Sequence, residues 1–305
     1  MWEGASTGER MMRWAARAEH LAGLPRRVVV VAVGAFAKVM TTVLNSTHVH
    51  NPETLIRLVR SRPSSVPLLT VSNHMSTLDD PLMWGFKGFP SMDAKLARWV
   101  LAAEDICFKN RILSYLFRLG KCIPVTRGGG IYQEQMSEAL DVLNGGEMYG
   151  FLRLVITIQK VQLHTFPEGK VNQEDVPVRR LKWGTASLIV RAPVTPIVLP
   201  IFHSGFEKVM PEKACYGRRP PLPLCMKDIK IIIGEPIEFD LWSLRQTALT
   251  HSCEENLNNL GWPKTSPDGL NEAAQRWLFT SISDQIRTAM EKLRTFADAS
   301  AATQE

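Results

Sequence analysis

Between residues 70 and 80 the chain reads TVSNHMSTLDD, which sets one imidazole, His74, five residues ahead of a carboxylate, Asp79, with Asp80 beside it. An imidazole that donates one ring N–H to a carboxylate keeps its other nitrogen free to take a proton from a hydroxyl, so the pair suits general-base work. On one regular helix a separation of five leaves side chains about 140° apart. Cooperation therefore requires His74 in a turn and Asp79 in the first helical turn, folding back toward it. The same residues also fit a helix cap followed by Pro81, part of a metal site with His48 and His50 upstream, or a lone surface histidine.

Two further clusters have chemistry-bearing types. In GKCIPVTRGGGIYQEQ a strand is expected to end at Thr126, after which Arg127 and three glycines lead toward a helix beginning near Ile131. Backbone N–H groups at such an entry, with a guanidinium beside them, can bind phosphate, and a flexible connector with a solvated arginine fits the same composition. Neither G-x-G-x-x-G nor G-K-[ST] is present, so this is no Rossmann or Walker loop. In HTFPEGKVN, the turn Phe166-Pro167-Glu168-Gly169 follows another expected strand. A carboxylate there can bind substrate hydroxyls, and Lys170 adds a positive charge.

The elements that must position these groups alternate. Strands are expected at Val66 to Val71, Cys122 to Thr126, Val161 to Phe166, Thr195 to Ile201 and Asp228 to Ile233. Helical patterns fall at Asp80 to Phe86, Arg111 to Leu119, Ile131 to Leu143 and Leu181 to Val190, which makes an α/β order. A short amphipathic helix starts at Asn51-Pro52 and ends before Pro63-Ser64-Ser65. From Asn271 to Ala299, Trp277, Ile282, Ile286, Met290, Leu293 and Phe296 recur at helical spacing.

Composition bounds the function classes. Of 305 residues 45% are hydrophobic and 22% charged, which excludes a disordered or fibrous chain. The net charge of +6 and pI near 9.1 suit an anionic partner. The basic residues are spread out and lack an interleaved aromatic platform, which argues against nucleic acid. The five cysteines are scattered with no C-x-x-C, so neither a zinc site nor a disulfide framework is signalled. The stretch VVVVAVGAFAKVMTTVL from Val28 to Leu44 has 17 residues including Lys38, short of the roughly 20 that span a bilayer. With Arg10, Arg13, Arg17, Arg26 and Arg27 ahead of it, it reads as a helix lying in a membrane face, or alternatively as a buried core helix. The Pro-rich loop GRRPPLPLCMK at 217–227 can also touch lipid.

In combination, N-H-x-x-x-x-D, the arginine before glycines and F-P-E-G resemble the glycerolipid acyltransferase family. The strings TVSNHMSTLDDP, AAEDICFKN, FPEGKVN, LKWG and PIVLPIFHSGFEKVMP are similar to the branch that exchanges acyl chains between phospholipids and lysophospholipids and remodels cardiolipin in mitochondria. The similarity runs from about Arg26 to Phe239. It implies one α/β acyltransferase-type domain at 51–270, a mixed sheet flanked by helices. An N-terminal segment at 1–50 would hold the membrane-associated helix, and a C-terminal amphipathic helix would occupy 271–305.

By the same resemblance His74 is the general base, Asp79 its orienting partner, and Arg127 with Phe166, Pro167, Glu168 and Gly169 holds the acceptor's phosphate and glycerol part. Leu199-Pro200 matches a structural motif. No metal or cofactor is implied. Phospholipid, lysophospholipid and the membrane surface are the expected partners, at an inner or outer mitochondrial membrane facing the intermembrane space. An acyl-CoA-dependent lysophospholipid acyltransferase and a catalytically silent lipid-binding protein are the alternatives. The chain departs from the family at about 148–162, where an apolar and basic insertion separates Asn144-Gly145-Gly146-Glu147 from the FPEG turn.

Overall fold

The computed structural model describes residues 15–17, 20–144, 160–174, 177–214, 217–251 and 269–302. The insertion therefore lies outside the described residues except for its last three. The strands are β1 (Ser46–His50), β2 (Leu68–Ser72), β3 (Trp99–Ala103), β4 (Cys122–Val125), β5 (Gln162–Thr165), β6 (Ile197–Ser204) and β7 (Asp228–Ile233). Among the described residues they form one sheet in the order β1-β7-β6-β2-β5-β3-β4. β2 pairs in parallel with β5 and β6, and β3 in parallel with β4 and β5. β7 runs antiparallel to β6 and carries β1 in parallel at the edge, so the sheet is mixed. Five strands thus share one direction, and their carboxyl ends line one edge.

β2 sits at the centre because LLTVS is buried along its whole length. Leu69 and Val71 face a core with Leu163, Val198, Ile189 and Ile282, while Leu68 on the other face joins Leu199, Ile201, Ile229 and Trp84. Each such side chain is worth roughly 1.5–3 kcal/mol of apolar burial, so a slip of one residue, which would exchange the two faces, is strongly disfavoured.

The helices are α1 (Leu24–Lys38), α2 (Pro52–Ser61), α3 (Asp79–Leu82), α4 (Glu104–Cys107), α5 (Arg111–Leu119), α6 (Glu134–Leu143), α7 (Trp183–Arg191), α8 (Phe206–Val209), α9 (Leu241–His251) and α10 (Glu272–Ala302). α10 packs on α7, α9 and β6, and α1 packs on α3 and α5. The expected architecture, an α/β fold with a mixed sheet flanked by helices, is what the chain adopts.

Several boundaries differ from the sequence expectation. β1 and β3 were not anticipated. Ser46–His50 alternates between exposed and half-buried at a sheet edge, so it carries no apolar run, and Trp99–Ala103 ends in alanines that fit a helix equally well. α9 was also missed. The helix expected from Asp80 to Phe86 is a single turn beginning at Asp79. α6 starts at Glu134 rather than near Ile131, because the Gln133 side chain folds back: its Oε1 accepts from Thr126 N at 2.9 Å, and its Nε2 donates to Gly130 O at 2.7 Å. The glycines thus close a loop and do not feed directly into helical N–H groups.

α1 begins four residues before the expected start and continues into a π-helical turn, Val39–Val43. Arg26, Val30, Gly34 and Ala37 form its buried side, whereas Leu24, Val28, Val31, Phe36, Val39 and Val43 are exposed. Ordinary surface helices turn polar residues to solvent instead. Among the described residues no helix is long and apolar enough to cross a membrane.

Candidate active site

At the carboxyl end of β2 the chain leaves the sheet through Asn73 and His74 and turns into α3. Asp79 makes that turn. Its Oδ2 accepts the backbone N–H of Met75 at 2.6 Å and of Ser76 at 2.8 Å, and it lies 2.9 Å from His74 Nδ1. Three donors thus converge on one buried carboxylate oxygen. An anionic acceptor fixes the imidazole tautomer, so Nδ1 donates and Nε2 keeps its lone pair. The spacing of five is thereby explained: the carboxylate pulls a four-residue turn around itself and brings the imidazole back to it.

Asp79 is fully buried, while the His74 side chain is 21% exposed. Asp80 points elsewhere, pairing with Arg98 and accepting from Trp84 Nε1 at 3.3 Å.

The FPEG turn closes over the histidine from β5, the neighbouring strand. The Phe166 ring stacks on the His74 ring with centroids 4.1 Å apart. Glu168 Oε1 accepts the His74 backbone N–H at 3.0 Å. Pro167 O accepts from Lys182 N at 2.7 Å, and Gly169 takes φ +76°, a region open to glycine. Burial pushes the Glu168 carboxyl up, while the His74 N–H, the charge at His74 and the Arg179 guanidinium pull it down. Asn172 N donates to His74 O at 2.7 Å, so residues beyond FPEG also grip the turn.

Arg127 follows β4 at the same sheet edge but three strands from β2, roughly 14 Å at ordinary strand spacing. It is exposed and paired with Asp105, which follows β3. The structure thus brings His74, Asp79, Phe166 and Glu168 together and places Arg127 at the far end of the edge. His48 and His50 stand on the outermost strand, and no cluster suited to a metal occurs among the described residues.

Sequence reasoning missed two residues here. Asn73 lashes the end of β2 to β6, its Nδ2 donating to His203 O at 2.8 Å and its Oδ1 accepting from His203 N at 2.9 Å. His203 itself is fully buried beside Asp79. Asn73 precedes the histidine in the motif, but nothing in the sequence marks a contact across 130 residues.

Beneath the site His164 is buried, with Nδ1 2.9 Å from Thr70 Oγ1 and its ring edge-on to Trp84 and Phe166. Burial lowers its pKa to about 3. An unfolded histidine takes up a proton near pH 6.5, so between these values the unfolded state holds the extra proton. Stability then falls as pH drops through that window, by about 1.4 kcal/mol per pH unit. His203 is lowered in the same direction, again by burial first. The urea midpoint is expected to decline from pH 6.5 toward pH 4, and less steeply in His164→Gln.

Comparison with known proteins places the chain in a family. The family model described as Acyltransferase matches residues 46–204, just over half of the 305 residues. An Arabidopsis thaliana protein named N-acylphosphatidylethanolamine synthase is 56% identical over 293 residues, covering 94% of this chain and 98% of the relative. Tafazzin of Drosophila melanogaster is 38% identical over 214 residues, covering 70% of this chain and 51% of its own length, so the chain spans about half of that relative. The crystal structure of a 1-acyl-sn-glycerophosphate acyltransferase from Thermotoga maritima aligns with a TM-score of 0.43 at 18% identity, over 86% of this chain and 81% of that one. From the extent of the family match and the identity to the Arabidopsis protein, the chain belongs to the acyltransferase family and is an acyltransferase with relatives among the tafazzins.

Proposed function

We propose that the enzyme moves an acyl chain from an intact phospholipid to the free hydroxyl of a lysophospholipid, remodelling cardiolipin in a mitochondrial membrane without coenzyme A. The observation that carries the chemistry is the His74 ring, held on Nδ1 by Asp79 and partly exposed at the sheet edge. Nε2 takes the acceptor hydroxyl's proton as the oxygen attacks the ester carbonyl, and the imidazolium returns it to the departing alkoxide. Glu168 and the FPEG turn hold the acceptor's glycerol part, while Arg127 with the loop of residues 128–130, further along the sheet edge, meets its phosphate by releasing Asp105 and extending toward the turn. No serine nucleophile is required. The two serines flanking the histidine are fully buried and engaged: Ser72 Oγ donates to Asn73 O at 3.1 Å and Ser76 Oγ accepts from Leu78 N at 3.2 Å.

The exposed apolar side of α1 supports a place on the membrane surface. Leu222 and Met226 of the Pro-rich loop are also exposed, and the loop meets the chain just after the π-helical turn, where Met226 N donates to Leu44 O at 2.7 Å. Because α1 packs on α3 with its buried side, the turn that carries Asp79 and His74 would lie one helix away from this surface.

A second reading rests on the name of the 56% identical relative. There the acceptor would be the amine of phosphatidylethanolamine and the product an amide. The same base serves both, so the acceptor decides. Purified enzyme in vesicles containing acyl-labelled phospholipid, given lyso-cardiolipin or excess phosphatidylethanolamine, with and without acyl-CoA, separates them. Label in an ester of the lysolipid without CoA supports the proposal. Label only in N-acylphosphatidylethanolamine, or strict CoA dependence, overturns it, and no transfer under any condition favours a silent lipid-binding protein.

A further inference from the structure

Behind the proposed base, two neighbouring side chains hold buried polar atoms that have no hydrogen-bond partner among the described residues: Asp79 Oδ1 and both ring nitrogens of His203. A buried polar atom without a partner costs on the order of 1–3 kcal/mol, so this grouping calls for a reason. His203 Nε2 lies 3.7 Å from Asp79 Oδ2, the oxygen that already receives His74. That separation exceeds a hydrogen bond, but a shift on the order of 1 Å closes it, and hydrogen bonds of reacting groups often tighten only when substrate is bound.

The backbone of His203 is fixed on β6 by its pair of hydrogen bonds with the side chain of Asn73, the residue next to His74. Its ring rests 5.0 Å from that of Phe206. The strand that carries His203 is thus tied directly to the turn that carries the base.

We infer that His203 is a positioning residue, a neutral imidazole whose Nε2–H is aimed at Asp79 and holds the carboxylate in line with His74. The inference rests on the reading of His74 as base. The groups that face the His203 ring are consistent with this arrangement. Asp79 from α3 and Glu207 from α8 attract a proton to it, the His74 charge repels one, the Asn73 contact favours one, and complete burial outweighs the attraction and keeps the ring neutral. Asp79 then lies between two imidazoles of different duty: the exposed one cycles its proton, and the buried one keeps its own. A second imidazole donor to the oxygen that receives His74 limits how strongly Asp79 holds the imidazolium, so the proton can be given back to the leaving alkoxide.

The test compares wild type, His203→Leu and His203→Gln for kcat and KM in acyl transfer from pH 5.5 to 8.5, with His74→Ala as control. His203→Leu should lower kcat about tenfold with KM unchanged and move the acid limb of the kcat profile to higher pH. His203→Gln, which restores a donor, should return the limb toward wild type. A folded Leu variant with unchanged rate and profile overturns the inference, as does one whose rate falls while the limb stays in place, since that is the mark of packing alone. Nitrogen-15 imidazole NMR of the wild-type protein provides a measurement independent of folding in the variants. His203 should remain a neutral Nε2–H tautomer throughout this range, and an Nδ1–H tautomer or titration would refute the inference. Should His74→Ala keep full activity, the base assignment falls, while the NMR result still stands or fails by itself.

Discussion

Replacing His74 with alanine is expected to lower acyl transfer by about 10³-fold, within the range general-base groups supply, and to leave the fold in place. The side chain is 21% exposed, and its ring makes a stacking contact with Phe166 and one hydrogen bond to Asp79. The contacts that shape the turn are made instead by its backbone, through the N–H to Glu168 and the carbonyl to Asn172, and alanine keeps both. Thermal unfolding and binding to vesicles should therefore match wild type while turnover collapses. A loss of vesicle binding together with activity would mean that the ring anchors lipid rather than moves a proton.

Asp79→Asn separates charge from shape. Oδ2 receives the three close donors, whereas Oδ1 has no partner among the described residues, so an asparagine can place its carbonyl oxygen at the first position and its amide nitrogen at the second. The turn is then preserved and the imidazolium loses its counter-charge. A fall in kcat of about 10³- to 10⁴-fold with little change in melting temperature is expected, comparable to the loss when the orienting carboxylate of a serine-protease triad is made neutral. Asp79→Ala should behave differently. It strands the buried Ser76 N–H, adding a stability loss of roughly 1–3 kcal/mol, and removes the partner of the half-buried Met75 N–H as well. Steady-state kinetics and denaturant titration on the two variants together distinguish the roles.

Much of this site could be read from local sequence, for a physical reason. A buried strand, a polar turn and a helix start are all encoded within a dozen residues, and His74 and Asp79 find each other through the backbone that joins them. The FPEG turn was legible in the same way, as a strand followed by Pro-Glu-Gly. What was not legible depends on distant pairing. The order of the strands, which sets β5 and β6 on either side of β2, follows from crossover connections that local patterns do not specify. Asn73 and His203 meet only because of that order. The edge strand β1 and the alanine-ended β3 were missed because they lack the apolar run by which buried strands announce themselves. The expected helix start after Arg127 was displaced by a glutamine side chain that competes for the loop's own backbone groups.

Direct transfer on His74, with no acyl group ever resting on the protein, is tested by one measurement. Wild-type and His74→Ala enzyme are mixed with acyl-labelled phospholipid, first alone and then with lysophospholipid, quenched within a turnover, and analysed by intact-protein and lipid mass spectrometry. The expected result is no labelled protein at any time, with labelled product forming only after the acceptor is added and only in the wild type. An acyl adduct on the chain before the acceptor arrives, or equal product from His74→Ala, would contradict direct general-base transfer.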